Sequence, residues 1–213
     1  MCDLETSSDI TVKNKVIKQI TKFNELPKIK NGLYIFDIDE TVLVFEELSD
    51  QWWNRNFEEI YSKTKDVKHT TNIMEKMFTE VVATNKPMPT DLEGFHAIEK
   101  SLYDNNNKLV FLTARPESIK GETYRQIANL PLCYSYTIYF SSEKGESVKW
   151  ILDRNINDTF YESVIFVDDK MYNIESVQST CPEVQCFQFI PDEYIAKLTK
   201  SETTIASKLN ESN

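Results

Sequence analysis

Short runs of apolar residues divide the chain into segments that have the pattern of buried strands. Each run is rich in the apolar, β-branched and aromatic residues that favour strands. Turn-forming or polar residues bound the runs, as Asn31 and Gly32 do before the first one. The pattern predicts five strands, at 33–36, 108–116, 134–142, 163–170 and 184–189.

Between and before these strands, apolar residues recur every three or four positions, which is typical of amphipathic helices. Either Thr90 or Asp91 is expected to cap a helix that begins at Leu92, because both side chains can accept hydrogen bonds from free backbone N–H groups. The spacing predicts a helix at 9–25, two or more helices between 42 and 88, and single helices at 92–102, 118–130 and 144–153.

The alternation of strands and helices indicates an α/β fold. Strands separated by helices predict a doubly wound, mostly parallel, Rossmann-like sheet with helices on both faces. The helical segment 42–89 interrupts this alternation and is interpreted as an insertion after the first strand. The core is then expected to comprise residues 1–41 and 90–198, followed by a polar tail or linker at 199–213.

Composition limits the classes of partner. The 213 residues include 34 acidic and 24 basic side chains, for a formal net charge of −10, and 40% of the residues are hydrophobic. This apolar content suits one core domain with an insertion. The net negative charge argues against nucleic acid or an anionic membrane surface as the main partner. We expect a cytosolic-type protein, because the sequence contains neither a signal-peptide pattern nor an apolar stretch of membrane-spanning length.

The cysteines and histidines do not suggest a catalytic or zinc site. No C-x-x-C pair occurs, and His69 and His96 are the only histidines, so neither is assigned a role. We interpret the cysteines as buried or bystander residues. They are Cys2, Cys133, Cys181 and Cys186.

Two aspartates interrupt the apolar pattern directly after the first predicted strand. Asp37 and Asp39 stand two positions apart, and residues with that spacing in a strand point to the same face of the sheet. A buried carboxylate is costly unless a positive group or several N–H groups compensate it. Two like charges this close therefore predict a nearby cation.

Polar residues that suit phosphoryl transfer also follow the other predicted strands. Ligands of an open parallel sheet bind beyond the carboxyl ends of its strands, so these side chains are expected to converge at one edge. Carboxylates are preferred ligands of Mg²⁺, one carboxylate can attack phosphorus, and a second can protonate the leaving oxygen. We therefore predict a magnesium-assisted phosphoryl-transfer site. Its residues are Asp37, Asp39, Thr113, Lys144, Asp168 and Asp169.

Four segments resemble, in the same order, the four motifs of the haloacid dehalogenase-like (HAD) superfamily of aspartate-nucleophile phosphatases. The resemblance covers roughly residues 28–41 and 90–190. It implies that the insertion at 42–89 is a small helical cap that closes over the site and selects the substrate. The four segments are DIDET (37–41), FLTARP (111–116), SSEKGES (141–147) and VIFVDDK (164–170).

The resemblance implies roles for the four aspartates. Asp37 would be the nucleophile and a metal ligand. Asp39 would be the general acid and base, and would bind the metal through its backbone carbonyl. Asp168 would be the remaining carboxylate ligand, and Asp169 would bind the metal directly or through water. An aspartate at the position of Asp39 favours a phosphatase or phosphomutase over a dehalogenase or a phosphate-storing ATPase.

The resemblance also implies which groups bind the phosphate. Thr113 would supply a hydroxyl, with Ala114 beside it, and Lys144 would neutralise both the nucleophile and the phosphate. Lys149 competes with Lys144 for this role, although its position inside a helix is typical of a solvated lysine. Arg115 is interpreted either as a substrate contact or as part of a structural salt bridge.

The resemblance also extends to a subgroup and to a class of substrate. The chain resembles acid-phosphatase-like bacterial members of the superfamily, some of them associated with intracellular pathogens. This implies a phosphorylated protein or small molecule as the substrate, with phosphotyrosine as one candidate, and delivery to a host cell if the source is a pathogen. Four aromatic residues of the insertion could stack on a substrate ring or form its core. They are Trp52, Trp53, Phe57 and Tyr61.

Other functions stay open at this point. A sugar or nucleotide phosphatase, a phosphomutase and a non-catalytic phosphate-binding module are each compatible with the same motifs. A phosphorylation-receiver domain also uses an aspartyl-phosphate, a threonine and a lysine on a parallel sheet. The order of the motifs argues against a receiver, because here the predicted nucleophile comes first and the acidic pair comes last.

Overall fold

Six parallel strands form the central sheet of the protein. The computed structural model describes residues 17–191 except 47, 49, 131 and 156–160. The sheet has the order β1-β8-β7-β2-β5-β6, and each neighbouring pair is parallel. Its strands are β1 (Lys18–Ile20), β2 (Leu33–Phe36), β5 (Lys108–Thr113), β6 (Tyr136–Phe140), β7 (Val164–Asp168) and β8 (Gln185–Phe189).

Helices cover both faces of this sheet. Alternate residues of β2 point to opposite faces, so Tyr34 and Phe36 join one buried cluster while Leu33 and Ile35 join the other. The helices α3 and α4 contribute to the first cluster, and α5 and α6 contribute to the second. The helices are α1 (Asp50–Thr64), α2 (Val67–Thr84), α3 (Leu92–Asp104), α4 (Lys120–Ala128), α5 (Lys144–Asn155) and α6 (Met171–Thr180).

The predicted α/β class with a parallel, doubly wound sheet is confirmed. The five predicted strands are β2, β5, β6, β7 and β8, with ends that differ from the predicted ones by a few residues. Strand β2 lies between β5 and β7, and all four of its residues are buried. After β6 the chain returns to the other side of β2 to form β7, so the carboxyl end of β2 lies where the order of the strands reverses.

The helices α1 and α2 pack against each other as a hairpin. In the sequence, this hairpin lies between β2 and α3. A short antiparallel ladder joins the two ends of this insertion: β3 (Leu43–Val44) pairs with β4 (Met88–Pro89). The sequence pattern did not predict this ladder, because the prolines around Met88 suggested only a helix end. Proline is tolerated in such a short strand because it needs no N–H group there.

Asp91 is the cap of α3. Its side chain accepts a hydrogen bond from Gly94 N at 2.9 Å and a second from Phe23 N at 2.7 Å. The other cap candidate, Thr90, instead donates its hydroxyl to the backbone carbonyl of Thr41. Both residues therefore tie the return of the chain from the insertion to the core beside β2.

The prediction of a helix at 9–25 is wrong for its described part. Residues 18–20 form β1, which pairs with β8 through Ile20 and Phe189, and a 3₁₀ turn follows at Phe23–Glu25. Pairing with the edge of the sheet buries Ile20 and outweighs the local helical spacing. Residues 9–16, Cys2 and the predicted tail at 199–213 lie outside the described residues.

A second difference is the helix α6, which the sequence pattern did not single out between the fourth and fifth predicted strands. Its buried residues Ile174 and Val177 pack under β7 and β8. Among the residues that the structure describes, none of the helices combines the length and apolar character needed to span a bilayer.

Candidate active site

The carboxyl ends of β2, β5 and β7 bring the predicted site residues together. Asp37 directly follows β2, Thr113 is the last residue of β5, and Asp168 is the last residue of β7. Because β2 lies between the other two strands, its neighbours deliver their side chains to either side of Asp37. These positions agree with the expectation that polar residues converge at this edge of the sheet.

A tight backbone reversal follows Asp37. The carbonyl of Ile38 accepts hydrogen bonds from Val42 N and Leu43 N, and Glu40 N donates to the carbonyl of Leu43. Glu40 adopts a left-handed backbone with φ 61°, which is uncommon for a residue other than glycine. The turn keeps Asp39 at the strand end and sends the chain away into the helical insertion.

Lys144 and Asp37 form a buried ion pair. The Nζ atom of Lys144 lies 2.5 Å from Asp37 Oδ1 and also donates to the backbone carbonyl of Leu112. Lys144 is 1% exposed and begins α5, whereas Lys149, its competitor in the sequence, is exposed. Lys144 is therefore the lysine that can neutralise the predicted nucleophile.

Three carboxylates lie close enough to share one cation. One carboxylate oxygen from each of Asp37, Asp168 and Asp169 lies within 4.8 Å of the other two. Ligands on opposite sides of one Mg²⁺ stand about 4 Å apart, so small side-chain movements would bring these oxygens to octahedral distances. All three donors are carboxylate oxygens, the ligand type that Mg²⁺ prefers, and the residues present therefore fit this ion.

Surrounding polar groups hold two of these carboxylates in place. The amide nitrogen of Asn173 donates to both oxygens of Asp168, each at 3.0 Å. The Thr41 hydroxyl donates to Asp169 Oδ1 at 3.3 Å and accepts a hydrogen bond from the backbone N–H of Asp169 at 3.0 Å, and Lys170 Nζ lies 3.0 Å from Asp169 Oδ2. Such contacts orient metal ligands and reduce the entropy lost when an ion binds.

Burial raises the pKa of all three carboxyl groups and so disfavours their ionised forms. It raises the pKa of Asp168 to about 7 and that of Asp169 to about 8, and the charge of Asp37 adds to both increases. Burial also raises the pKa of Asp37, although the Lys144 ammonium acts in the opposite direction. A bound cation would favour the ionised form of all three groups.

Asp39 faces a different partner. Its two carboxylate oxygens accept hydrogen bonds from Arg115, from Nε at 2.8 Å and from Nη2 at 2.7 Å. Arg115 thus forms a salt bridge, one of the two roles expected for it, and its partner is a predicted catalytic residue. The Asp39 side chain lies outside the three-carboxylate cluster, and metal binding through its backbone carbonyl stays a prediction.

Thr113 is wholly buried beside the same turn. Its hydroxyl accepts a hydrogen bond from Arg115 N at 3.2 Å and keeps its own proton available for another acceptor. The following residues Ala114 and Arg115 line the cavity above the site. This position suits the phosphate-binding role predicted for Thr113 and Ala114, which stays a prediction.

A cavity of about 840 Å³ opens above these residues. The site forms its floor through Asp37, Asp39, Lys144 and Asp169, and its walls are largely apolar. Trp52 and Trp53, two of the four insertion aromatics, belong to the walls. The described lining residues do not include Phe57 and Tyr61, which stack on each other along α1. Other lining residues include Leu43, Phe45, Leu48, Phe78 and Tyr172, with Thr71, Glu75 and Lys170 among the polar ones.

Two residues of the site were not found from the sequence. Asn173 lies one turn into α6, a helix that was not predicted, and only its spacing of five residues after Asp168 could have suggested it. Gln126 is a polar residue on the predicted helix α4, and its buried contact with Arg115 depends on tertiary packing. No local pattern marks such a position.

One family model matches most of the chain. Residues 10–143 and 138–205 match the family model described as Protein of unknown function (DUF2608). The chain belongs to this family. The matched regions of the DUF2608 protein contain all of the predicted site residues from Asp37 to Asp169. No curated protein matches the chain in sequence.

Several solved structures are similar to the DUF2608 protein. One is a HAD-superfamily hydrolase from Ehrlichia chaffeensis, with 16% sequence identity and a TM-score of 0.43. The matched region covers 76% of this chain and 87% of the hydrolase chain. Another is the HAD domain of the effector protein Lem4 from Legionella pneumophila, an inactive mutant, 12% identical, with coverages of 85% and 99% and a TM-score of 0.42.

A third similar structure is the N-terminal part of a Bacteroides fragilis protein that contains a phosphatase domain, complexed with Mg. It is 18% identical and covers 81% of this chain and 40% of that chain, with a TM-score of 0.43.

Proposed function

We propose that the DUF2608 protein is a HAD-type phosphatase, a magnesium-dependent phosphomonoester hydrolase that works through an aspartyl-phosphate on Asp37. The observation that carries this proposal is the buried pair of Asp37 and Lys144 at the floor of the cavity, with the carboxylates of Asp168 and Asp169 beside it. A carboxylate held next to an ammonium and a cation site is suited to attack phosphorus.

The first half of the reaction forms the covalent intermediate. A carboxylate oxygen of Asp37 attacks the phosphorus of the substrate, and the bond from phosphorus to the ester oxygen breaks. Protonated Asp39 gives its proton to that oxygen, so the product leaves as an alcohol or phenol. Mg²⁺ held by Asp37, Asp168 and Asp169 would supply positive charge opposite the phosphoryl oxygens.

The second half returns the enzyme to its starting state. Asp39, now ionised, accepts a proton from a water molecule, and the water oxygen attacks the phosphorus of the aspartyl-phosphate. The bond between phosphorus and Asp37 breaks and inorganic phosphate leaves. Throughout both halves, the Lys144 ammonium offsets negative charge on Asp37 and on the phosphoryl group, and the Thr113 hydroxyl donates to a phosphoryl oxygen.

We further propose that the insertion at 42–89 is a cap that selects the substrate, set on a core of residues 1–41 and 90–198. Its aromatic residues Trp52, Trp53 and Phe78 line the cavity, and an aromatic wall favours an aryl phosphate such as phosphotyrosine over a sugar phosphate. Delivery into a host cell stays a prediction that rests on the motif resemblance.

Hydrolysis of para-nitrophenyl phosphate by the purified protein tests this proposal. The expected result is release of nitrophenol that requires Mg²⁺, stops with a chelator and resumes when Mg²⁺ is restored. A panel of phosphotyrosine peptides, phosphoserine peptides and sugar phosphates then identifies the substrate class. Transfer of phosphate between sugars without release would support a mutase, and the absence of any turnover across the panel would contradict the proposed enzyme.

A further inference from the structure

The contact between Arg115 and Asp39 is a buried two-point ion pair. The Arg115 side chain is wholly buried, while the Asp39 side chain is 26% exposed toward the cavity. Two parallel N–H groups at 2.8 and 2.7 Å hold both carboxylate oxygens, which fixes the plane of the carboxylate as well as its position. Asp39 therefore reaches the site in one defined orientation.

The other end of the Arg115 guanidinium continues this network away from the site. Its Nη1 donates to Gln126 Oε1 at 2.7 Å and to Thr123 Oγ1 at 3.2 Å, both on α4. The amide nitrogen of Gln126 in turn donates to the backbone carbonyl of Val82 on α2 at 2.7 Å. A continuous chain of hydrogen bonds therefore runs from Asp39 to the helical insertion.

Apolar packing reinforces the same junction. Phe45, which follows β3 within the insertion, has its ring centroid 5.7 Å from the Arg115 guanidinium carbon. Phe45, Val82 and Ile119 form a buried cluster of their own at the base of the hairpin. The guanidinium thus lies between Asp39 and the place where the insertion meets the core.

We propose that Arg115 is a positioning residue for Asp39, and that Gln126 couples this pair to helix α2. The orientation of the acid and base group then depends on where the helical insertion sits. The inference rests on the proposed phosphatase activity and assigns roles to two residues outside the cluster of Asp37, Asp168 and Asp169.

Stability alone does not account for this network. A buried ion pair is often no more stabilising than apolar residues of the same volume, because both charges lose their hydration. Four hydrogen bonds from one buried guanidinium instead specify a geometry, and a displacement of about 1 Å at a catalytic group can lower the rate about 100-fold. Because two of these bonds go to Asp39, the fixed geometry points to a positioning role for Arg115.

The leaving group of the substrate gives a test that a structural role would not satisfy. Proton donation matters most when the leaving phenol is a poor one, so a misplaced acid should harm phenyl phosphate more than para-nitrophenyl phosphate. Arg115→Lys keeps the charge but loses the two-point contact. We expect kcat/KM of this variant to fall about tenfold or more for phenyl phosphate and less than about threefold for para-nitrophenyl phosphate.

A second variant and a control complete the design. Gln126→Met keeps the length of the side chain but removes its hydrogen bonds to Arg115 and to the Val82 carbonyl. Its kcat/KM should also fall more for phenyl phosphate than for para-nitrophenyl phosphate, by a smaller factor than in Arg115→Lys. Arg115 keeps its hydrogen bonds to Asp39 and Thr123 in this variant, so the protein should stay folded, and the variant decides the outcome if Arg115→Lys unfolds. Arg125→Lys, on the exposed side of α4, should match the wild type.

The outcomes separate this inference from the proposed function. Equal losses for both esters in Arg115→Lys, or no loss at all, would overturn the positioning role. An unchanged leaving-group preference in Gln126→Met would overturn the coupling to α2. A wild-type protein that hydrolyses neither ester would remove the phosphatase proposal and this inference with it.

Discussion

The Nζ atom of Lys144 lies 2.5 Å from Oδ1 of Asp37, although the two residues are 107 positions apart in the sequence. Lys144 is 1% exposed and Asp37 is 7% exposed. A charge pair with so little access to water depends on its own geometry and on the Leu112 carbonyl, which is the second partner of the lysine. The pair therefore links the nucleophile proposed here to the start of α5.

Removing the Lys144 ammonium group should destabilise the protein. Lys144→Met would leave the Asp37 carboxylate buried without its partner, which costs about 3 kcal/mol or more. For a chain of this size, that corresponds to a fall in Tm of roughly 6–12 °C, together with loss of turnover. Lys149→Met is the matched control on the same helix, and thermal unfolding should show little change for it. Equal stability of the two variants would contradict the buried pair.

Asp37→Asn should abolish turnover while the fold is kept. The amide is not a nucleophile toward phosphorus, so hydrolysis of para-nitrophenyl phosphate should fall to the background rate. The Asn amide oxygen can still accept a hydrogen bond from Lys144, and the substitution ends the repulsion between Asp37 and its neighbouring carboxylates, so the variant should stay folded although Lys144 loses its charged partner. Activity near that of the wild type would refute the assignment, and circular dichroism checks that the variant is folded.

The stability of the metal-free protein should decrease as the pH rises from about 5 to 8. Burial raises the pKa of Asp168 to about 7 and of Asp169 to about 8, from an ordinary value of 3.8. The folded protein therefore keeps protons that the unfolded chain has already lost, and raising the pH favours the unfolded chain. Thermal unfolding in a chelator should show a smaller fall for Asp169→Asn, which lacks one of these groups. An equal decrease in stability with pH in the wild type and in Asp169→Asn would argue that Asp169 does not cause it.

Magnesium should reverse this trend. The ion binds the ionised carboxylates, so its affinity should increase with pH through the range in which Asp168 and Asp169 lose their protons. We expect Mg²⁺ to raise Tm more at pH 8 than at pH 6 and to release protons on binding, which calorimetry in buffers of different ionisation enthalpy measures. Calcium should support little hydrolysis because its coordination is looser. A stabilisation by Mg²⁺ that persists unchanged in Asp168→Asn would point to another binding site.

The aromatic wall of the cavity should act on aryl substrates in particular. Trp52→Ala removes part of the surface on which a substrate ring could stack, and KM for phenyl phosphate should rise about threefold to tenfold. Hydrolysis of acetyl phosphate, which has no ring, should change little. Trp150→Ala is the control, since Trp150 lies on α5 against Tyr139 and outside the lining of the cavity. A similar effect of both substitutions would argue that Trp52 is only part of the packing.

Much of the fold could be predicted because each buried strand leaves a local pattern. The strand Leu33–Phe36 is apolar throughout, since parallel strands in the centre of a sheet are covered on both faces. The edge strand Lys18–Ile20 was misread as helix, because three residues carry too short a pattern and their structure depends on pairing with Phe187–Phe189.

The candidate site was predictable to the extent that its residues follow strand ends. Asp37 and Asp168 could be placed at one edge because each follows a predicted strand of a parallel sheet, whereas the pairing of β2 with β7 is seen only in the structure. The pairing of Arg115 with Asp39 and with Gln126 could not be inferred in this way. Their contacts form between β5, α4 and α2, and such packing leaves no spacing in the sequence.

Trapping of the covalent intermediate tests the central claim most directly. Asp39→Asn should slow the attack of water more than the first step when para-nitrophenyl phosphate is the substrate, because nitrophenol leaves without much help from an acid. Acid quenching, borohydride reduction and peptide mass spectrometry would then locate the phosphorylated residue. We predict modification of Asp37, dependent on Mg²⁺ and absent from the variant that also carries Asp37→Asn. Modification of any other residue, or turnover with no modification at Asp37, would contradict the mechanism.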